Sequence, residues 1–450
     1  MDNIVIRDGS GKLKREVNIV VLIAAMIGLN IGGGLFLLTG IAAGLTGPSL
    51  FIAQLLSAAP VLLALIPYMI LTSAMPITCA NYQYSKLFSP PMAAAAWMVM
   101  FIAIPLGAFP LFAIATAKLV AVLIPGIPVI AIAIGVMTVF YLVNLFGIKA
   151  ATQVQFAGVL ILMLALLTFI IPGLPAIDIN NLTPMFTGGA IGFIGAAAII
   201  FTLAAGGLFG IEIGGEVKNA RKTIPKALLI STIIVVVVYL LIEVVAVGVM
   251  DTKLFAKETL GAPAQMFLAE PWLSFFVIGG GILASVTTIN LTLTVAGRYA
   301  LVFARDGFFP SFFGQINKKF STPHWGLTLP WAMAVITLLF DPPLQILGAM
   351  LNFGLLFMIT LVLLAAFRLP QKHPDIYAKS NYKFSPRLIA TVSMAGVVIN
   401  IIFMLILAVA MQWSFCIFIA AGAAGIVLYF VRKRQLKYLP SSSTTIEQAE

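Results

Sequence analysis

Three ionisable side chains interrupt otherwise apolar runs: Lys118, Glu212 and Glu243. A charge is costly in hydrocarbon, so such groups line a pathway or pair with one another. Glu243, in Tyr239-Leu-Leu-Ile-Glu243, suits a site that takes up and releases a proton; the alternative is a structural carboxyl near the interface. Glu212 lies one turn before Glu216 on one helical face, and is expected to pair with lysines or arginines of the inner loops as part of an inner gate. Lys118 falls near a run's outer end, where its ammonium reaches the interface. A later run offers Ser285, Thr287, Thr288, Asn290, Thr292 and Thr294. Neighbouring hydroxyls of this kind are hard oxygen ligands for sodium, or they make ordinary interhelical hydrogen bonds. The coupling ion is thus a proton or sodium.

Catalytic chemistry finds less material. His324 and His373 lie in inner loops, and Cys79 and Cys416 are far apart in sequence. No metal-ligand spacing, nucleotide loop or nucleophile motif appears, so neither an enzyme nor a cofactor is expected. A channel would carry a repeated selectivity motif. A sensor would usually add a soluble output domain, and the polar tail here is short.

Backbone chemistry is better provided for. Ile31-Gly32-Gly33-Gly34-Leu35 lies within the run 17–44, and Ala204-Ala205-Gly206-Gly207 within 188–215. Glycine weakens a helix, and an unwound helix frees N–H and C=O groups that hydrocarbon cannot satisfy. A pair of interrupted apolar segments at matching positions in two halves points to a transporter's binding site. The outer half-helix starting at Gly32, Gly33 and Gly34 presents unpaired N–H groups and a positive dipole end, suited to a carboxylate. The carbonyls of Ile27, Gly28, Ile31, Leu203 and Ala204 suit an α-ammonium group. Ala205, Gly206, Gly207 and Leu208 complete a small wall. The alternative is that these glycines only let helices approach closely.

The elements that must hold these groups are membrane helices. Of 450 residues, 61% are hydrophobic and 9% charged, a balance that leaves too little polar surface for a soluble domain. About twelve apolar runs long enough to cross a bilayer recur, at 17–44, 49–75, 93–124, 127–147, 151–173, 188–215, 224–250, 271–304, 325–341, 344–367, 386–410 and 413–431. The net charge of +11 crowds into alternate loops, for example Lys14, Arg15, Lys86, Lys218, Arg221, Lys222, Arg298 and Arg305, while the opposite loops keep only Lys253 and Lys257. By the positive-inside rule both termini are cytoplasmic, and no nucleic-acid partner is needed. The expected class is an all-α, multi-pass protein of the plasma membrane. Five spans separate the interrupted segments, which is the condition for an inverted repeat, 17–173 against 188–367. Accessory spans follow at 386–431, between a cytoplasmic N-terminus (1–16) and a cytoplasmic tail (432–450). Segment 76–90 reads as an amphipathic intracellular helix, and 263–270 as a short outer one.

Several motifs resemble the amino acid–polyamine–organocation transporters. Gly32-Gly33-Gly34-Leu35-Phe36 is similar to that family's first-span break. Pro76…Thr78…Tyr82-x-Tyr84…Phe88-Ser89-Pro90, with Trp97 after it, resembles its first intracellular helix. Asn144-x-x-Gly147-Ile148-Lys149 resembles its loop between spans four and five, and 216–225 its motif after span six. Ala296-Gly297-Arg298…Asp306-Gly307…Pro310 resembles the end of span eight. These matches cover about 17–320 in order. The resemblance implies the five-plus-five, leucine-transporter-type fold and alternating-access transport of amino acids, by proton-coupled symport or exchange. A polyamine or amine exchanger, or a non-transporting amino acid sensor, are the alternatives. It further implies an aromatic lid after the span-six glycine; that place is Gly207 here, with Phe209 a shifted substitute. Relatives carrying arginine often have glutamate where Leu208 stands, which argues against a dicationic substrate. Some sodium-independent relatives carry a lysine where Leu162 stands. Phe209, Glu212, Glu216, Glu243, Thr287 and Thr288 are the gating and coupling candidates.

Overall fold

The computed structural model describes residues 15–123, 126–256, 258–317 and 319–436. Most of the N-terminal segment, much of the tail, and Lys257 lie outside the described residues. Among the described residues every regular element is helical, with two isolated bridges, Val17 to Val217 and Thr78 to Ile213. Helices are what an apolar chain adopts when no water is at hand, because each satisfies its own backbone.

The first half opens with α1 (Ile19–Asn30) and α2 (Gly33–Thr46), separated by two non-helical residues. A short turn at Gly47–Ser49 leads into α3 (Leu50–Ala74). Helix α4 (Ala80–Phe88) is amphipathic by sequence yet buried along most of its length. Then α5 (Pro90–Ala103) passes through a π turn at Ile104–Ala108 into α6 (Phe109–Leu123). Pro105 lies inside that turn; proline removes an N–H and widens the coil locally. Helices α7 (Val129–Leu145) and α8 (Ile148–Gly173) close this half.

The second half begins with α9 (Gly189–Ile199) and α10 (Phe201–Ala205), followed by a 3₁₀ stretch, Gly206–Glu212. Helix α11 (Ala220–Val249) packs against α3 and α1. The short helices α12 (Thr252–Phe255), α13 (Gly261–Gln265) and α14 (Trp272–Phe275) precede a second π turn, Phe276–Ile282, which opens α15 (Leu283–Arg305). Helix α16 (His324–Leu339) is followed by α17 (Leu344–Lys372), and α18 (Pro374–Ala378) leads to α19 (Pro386–Ala410) and α20 (Gln412–Leu436).

Among the described residues, eight helical stretches are long and apolar enough to cross a membrane, or nine when the bent pair α9–α10 counts as one. This is fewer than the twelve runs of the sequence, for a geometric reason. The break shortens α1 to 12 residues, α7 and α16 reach only 17 and 16, and Gly33–Ala74 forms one continuous stretch of 42.

Candidate functional site

The first interruption is short and non-helical. Ile31 (φ −83°, ψ 85°) and Gly32 (φ −110°, ψ −178°) leave the helical region, and α2 restarts at Gly33. None of these angles demands glycine. Space does. A Cβ on Gly32 would lie 2.7 Å from Thr288 Oγ1 and 3.3 Å from Phe112 Cε1, and one on Gly33 would strike Ser285 Oγ. The glycine run therefore admits α6 and α15 against the break. Gly33 and Gly34 occupy the first turn of α2, where N–H groups have no intrahelical acceptor and the dipole is positive. On the other side the Ile27 carbonyl accepts the Ile31 N–H at 2.8 Å and the Gly28 carbonyl accepts the Thr288 hydroxyl at 2.8 Å. Each carbonyl keeps one lone pair for a ligand.

The second interruption differs from the sequence reading. Helix α10 continues through Leu203, Ala204 and Ala205; the bend, 40°, lies earlier, at Ile200. At Gly206 and Gly207 the chain tightens to 3₁₀ instead of unwinding. The reason is their pressure on the end of α1. A Cβ on Gly206 would strike the Leu29 carbonyl oxygen and lie 3.1 Å from Asn30 Cα, and one on Gly207 would strike the Asn30 amide.

Asn30 joins the two interruptions. Its Oδ1 accepts the Gly207 N–H at 2.8 Å and its Nδ2 donates to the Met26 carbonyl at 3.3 Å. Its own carbonyl accepts the Tyr239 hydroxyl of α11 at 2.7 Å. Sequence reasoning missed this residue, although a lone asparagine just before a glycine run in an apolar helix was a visible signal. Asn30→Ala orphans the buried Gly207 N–H, so a stability loss of about 1–3 kcal/mol is expected. Thermal midpoint and substrate affinity in detergent should both fall; unchanged values would show that the amide is not the clamp.

Beside these breaks lies a cavity of about 40 Å³, room for a few waters. Of the residues singled out from sequence, Gly206, Phe209, Thr288 and Thr292 line it. Leu29 and Thr202 add to that side, while Met100, Ile104, Ala108 and Phe112 come from α5, the π turn and α6. Thr292 and Val295 of α15, with Leu351 and Leu355 of α17, close it. Leu208 and Ala205 are buried behind this wall and do not line it.

At the end of the bundle where α1 begins, the segment after Glu212 is held between two others. Cys79 N–H donates to the Glu212 carbonyl at 2.9 Å, Val17 N–H to the Glu216 carbonyl at 3.0 Å, and Lys218 N–H to the Val17 carbonyl at 2.9 Å. Glu212 does not pair with a cation as expected. Its Oε1 accepts from Asn81 Nδ2 at 2.6 Å and from the Tyr299 hydroxyl at 2.8 Å, and Asn81 in turn accepts from Tyr68 at 2.6 Å. In this 3₁₀ geometry Glu212 reaches Asn81 of α4 and Tyr299 of α15, while Glu216 reaches Arg298 of α15. Glu216 makes the ionic contact, accepting Arg298 Nε at 2.9 Å and Nη2 at 3.0 Å. Lys86 pairs with Asp306, which also accepts the Tyr82 hydroxyl at 2.9 Å. Burial first, and the Glu212 carboxylate second, push the Cys79 thiol up, so it is no thiolate nucleophile.

The remaining candidates lie apart from the cavity lining. Glu243 is fully buried, and neither carboxyl oxygen has a hydrogen-bond partner. The hydroxyls of Ser285 and Thr287 bond to carbonyls of their own helix, at 3.3 Å to Gly281 and 2.9 Å to Leu283. Lys118 is exposed and Leu162 is buried.

Discontinuous helices packed against each other beside a cavity in a multi-pass helical protein are the architecture of secondary transporters. The chain belongs to the amino acid permease family, whose sequence model matches residues 18–424. It is 27% identical to the methylthioribose transporter of Bacillus subtilis (strain 168), over 95% of each chain. It is 25% identical to the branched-chain amino acid permease BcaP of the same organism, over 96% of each chain. To the vacuolar cationic amino acid transporter 2 of Arabidopsis thaliana it is 24% identical, over 81% of this chain and 61% of that one.

Proposed function

We propose that this protein carries amino acids across the plasma membrane by alternating access, with both termini in the cytoplasm. The observation that carries the reading is the pair of glycine-bearing interruptions, joined by Asn30 beside a buried cavity. In this scheme the α-carboxylate meets the N–H groups of Gly33 and Gly34, and the α-ammonium meets free carbonyl lone pairs of Ile27, Gly28 and Ile31. Phe209 serves as the lid. Twelve spans result when Gly33–Ala74 divides at Gly47, α1 joins α2 as one broken span, and α7 and α16 each cross once. An inverted repeat of five spans is supported by two correspondences. A short helix lies between spans two and three (α4) and another between seven and eight (α13), and spans three and eight each contain a π turn.

Uptake into proteoliposomes tests the reading, with a panel of labelled amino acids and amines plus methylthioribose, under proton, sodium or no gradient. Saturable uptake of at least one amino acid is expected. Movement of methylthioribose alone, or of nothing, overturns it. Glu243 is the proposed proton site, being a buried carboxyl with no other use for its oxygens. Glu243→Gln should abolish accumulation driven by a proton gradient while leaving counterflow exchange intact. Accumulation that still collapses with a protonophore in the variant would remove Glu243 from the scheme.

A further inference from the structure

We infer that the carried amino acid has a neutral, apolar side chain, and that Gly354, outside the cavity, sets how long that side chain can be. The inference rests on the transport reading above and names the substrate class of that same cavity.

The first half follows from what the wall can offer a charge. Met100, Ile104, Phe112, Phe209, Val295 and Leu351 present carbon and one thioether sulfur. Among the described residues, the only polar side chains in the lining are Thr202, Thr288 and Thr292. The Thr288 hydroxyl already donates toward the Gly28 and Ala284 carbonyls, at 2.8 and 3.0 Å, and Thr292 donates to the Thr288 carbonyl at 2.6 Å. Each hydroxyl has a single proton to give, so these two have none left for a carboxylate. A guanidinium or ammonium would find no acid, since Glu212, Glu216 and Glu243 all lie outside the lining. A buried charge without a partner is strongly disfavoured, and an apolar side chain is not.

The second half follows from Met100. Its sulfur rests against the bare backbone of Gly354 in α17, where an added Cβ would lie 2.6 Å from Met100 Sδ, 3.3 Å from Ala103 Cβ and 3.7 Å from Val99 Cγ1. Methionine is unbranched and fills the space it is given. A methyl group at 354 displaces that sulfur toward the cavity it lines and shortens the pocket. Gly354 thereby acts through Met100 as a positioning residue for specificity.

The test is competition by unlabelled amino acids against the best labelled substrate in proteoliposomes, for the unaltered protein, Gly354→Ala, and Gly354→Ala with Met100→Ala. Leucine, isoleucine, valine or methionine should compete best, and arginine, lysine, aspartate and glutamate should be at least about tenfold weaker. Gly354→Ala should raise the KM for leucine and methionine about tenfold more than that for alanine, and truncating Met100 should restore the ratio. A merely structural defect lowers all substrates together and would leave the ratio where it was, overturning the role of Gly354. If a charged amino acid competes best, the apolar assignment fails while amino acid transport stands. If no amino acid is transported at all, the transport reading itself fails and the assignment with it.

Discussion

Gly206→Ala should cost the protein its transport and a measurable part of its stability. The added methyl meets no flexible side chain that could swing aside. It meets backbone: the Leu29 carbonyl oxygen, with the Leu29 carbonyl carbon at 2.9 Å and Asn30 Cα at 3.1 Å. Overpacking in a dense interior costs about 1–3 kcal/mol where side chains can adjust. Here the relief has to come from separating the 3₁₀ stretch from the end of α1. That separation also draws the Gly207 N–H away from Asn30 Oδ1, so the steric and polar penalties fall together. Stability is expected to drop by a few kcal/mol, since two penalties of this size add, and substrate binding should weaken because the displaced 3₁₀ stretch carries Gly206 and Phe209 of the cavity wall. Gly195→Ala is the matched control, because in α9 a Cβ at that position meets nothing within 4 Å. Wild-type binding and thermal midpoint in Gly206→Ala would mean that the two interruptions do not need their close contact.

This contact explains what the sequence could and could not disclose. Two glycine-bearing interruptions in apolar runs are legible one-dimensionally, because glycine is costly in a helix and its presence asks for a reason. The partners that supply the reason are remote. Gly206 and Gly207 are held by Leu29 and Asn30, and the Asn81 and Tyr299 contacts of Glu212 lie 131 and 87 residues away in the chain. A soluble helix announces its buried face by amphipathic periodicity, but a helix in a membrane bundle is apolar all round. Nothing in 344–372 marks Leu351 and Leu355 as the ones that face the cavity, nor Gly354 as the one that backs Met100. Glu212 differs from the sequence expectation for a related reason. One-turn spacing to Glu216 presumes an α-helix, and the chain there is 3₁₀, so the two carboxylates diverge to different partners. The bend at Ile200 leaves no mark in the sequence, because no glycine or proline stands at it.

Arg298→Ala should be the most destabilising change at the end of the bundle where Val17 pairs with Val217. Arg298 and Glu216 are both buried, the guanidinium forks onto both carboxylate oxygens, and Nη1 donates to the Thr294 carbonyl at 3.0 Å. Removing one member of such a pair leaves an uncompensated charge, at about 3–5 kcal/mol. Arg298→Lys keeps the charge but not the fork, so it should recover only part of the loss. The informative variant removes both charges. Arg298→Met with Glu216→Gln leaves neither member of the pair as an unpaired buried ion, and replacing a whole buried pair is often neutral for stability. If the pair only stabilises the fold, this double variant should transport as the unaltered protein does. If it is a gate, the thermal midpoint should recover while transport does not, because Glu216 also anchors Val17 through its backbone and the fork is what ties that junction to α15. The second result is expected. It should appear as a thiol introduced at position 17 becoming reactive in the double variant and not in the parent, and protection in both would confine the ion pair to a structural part.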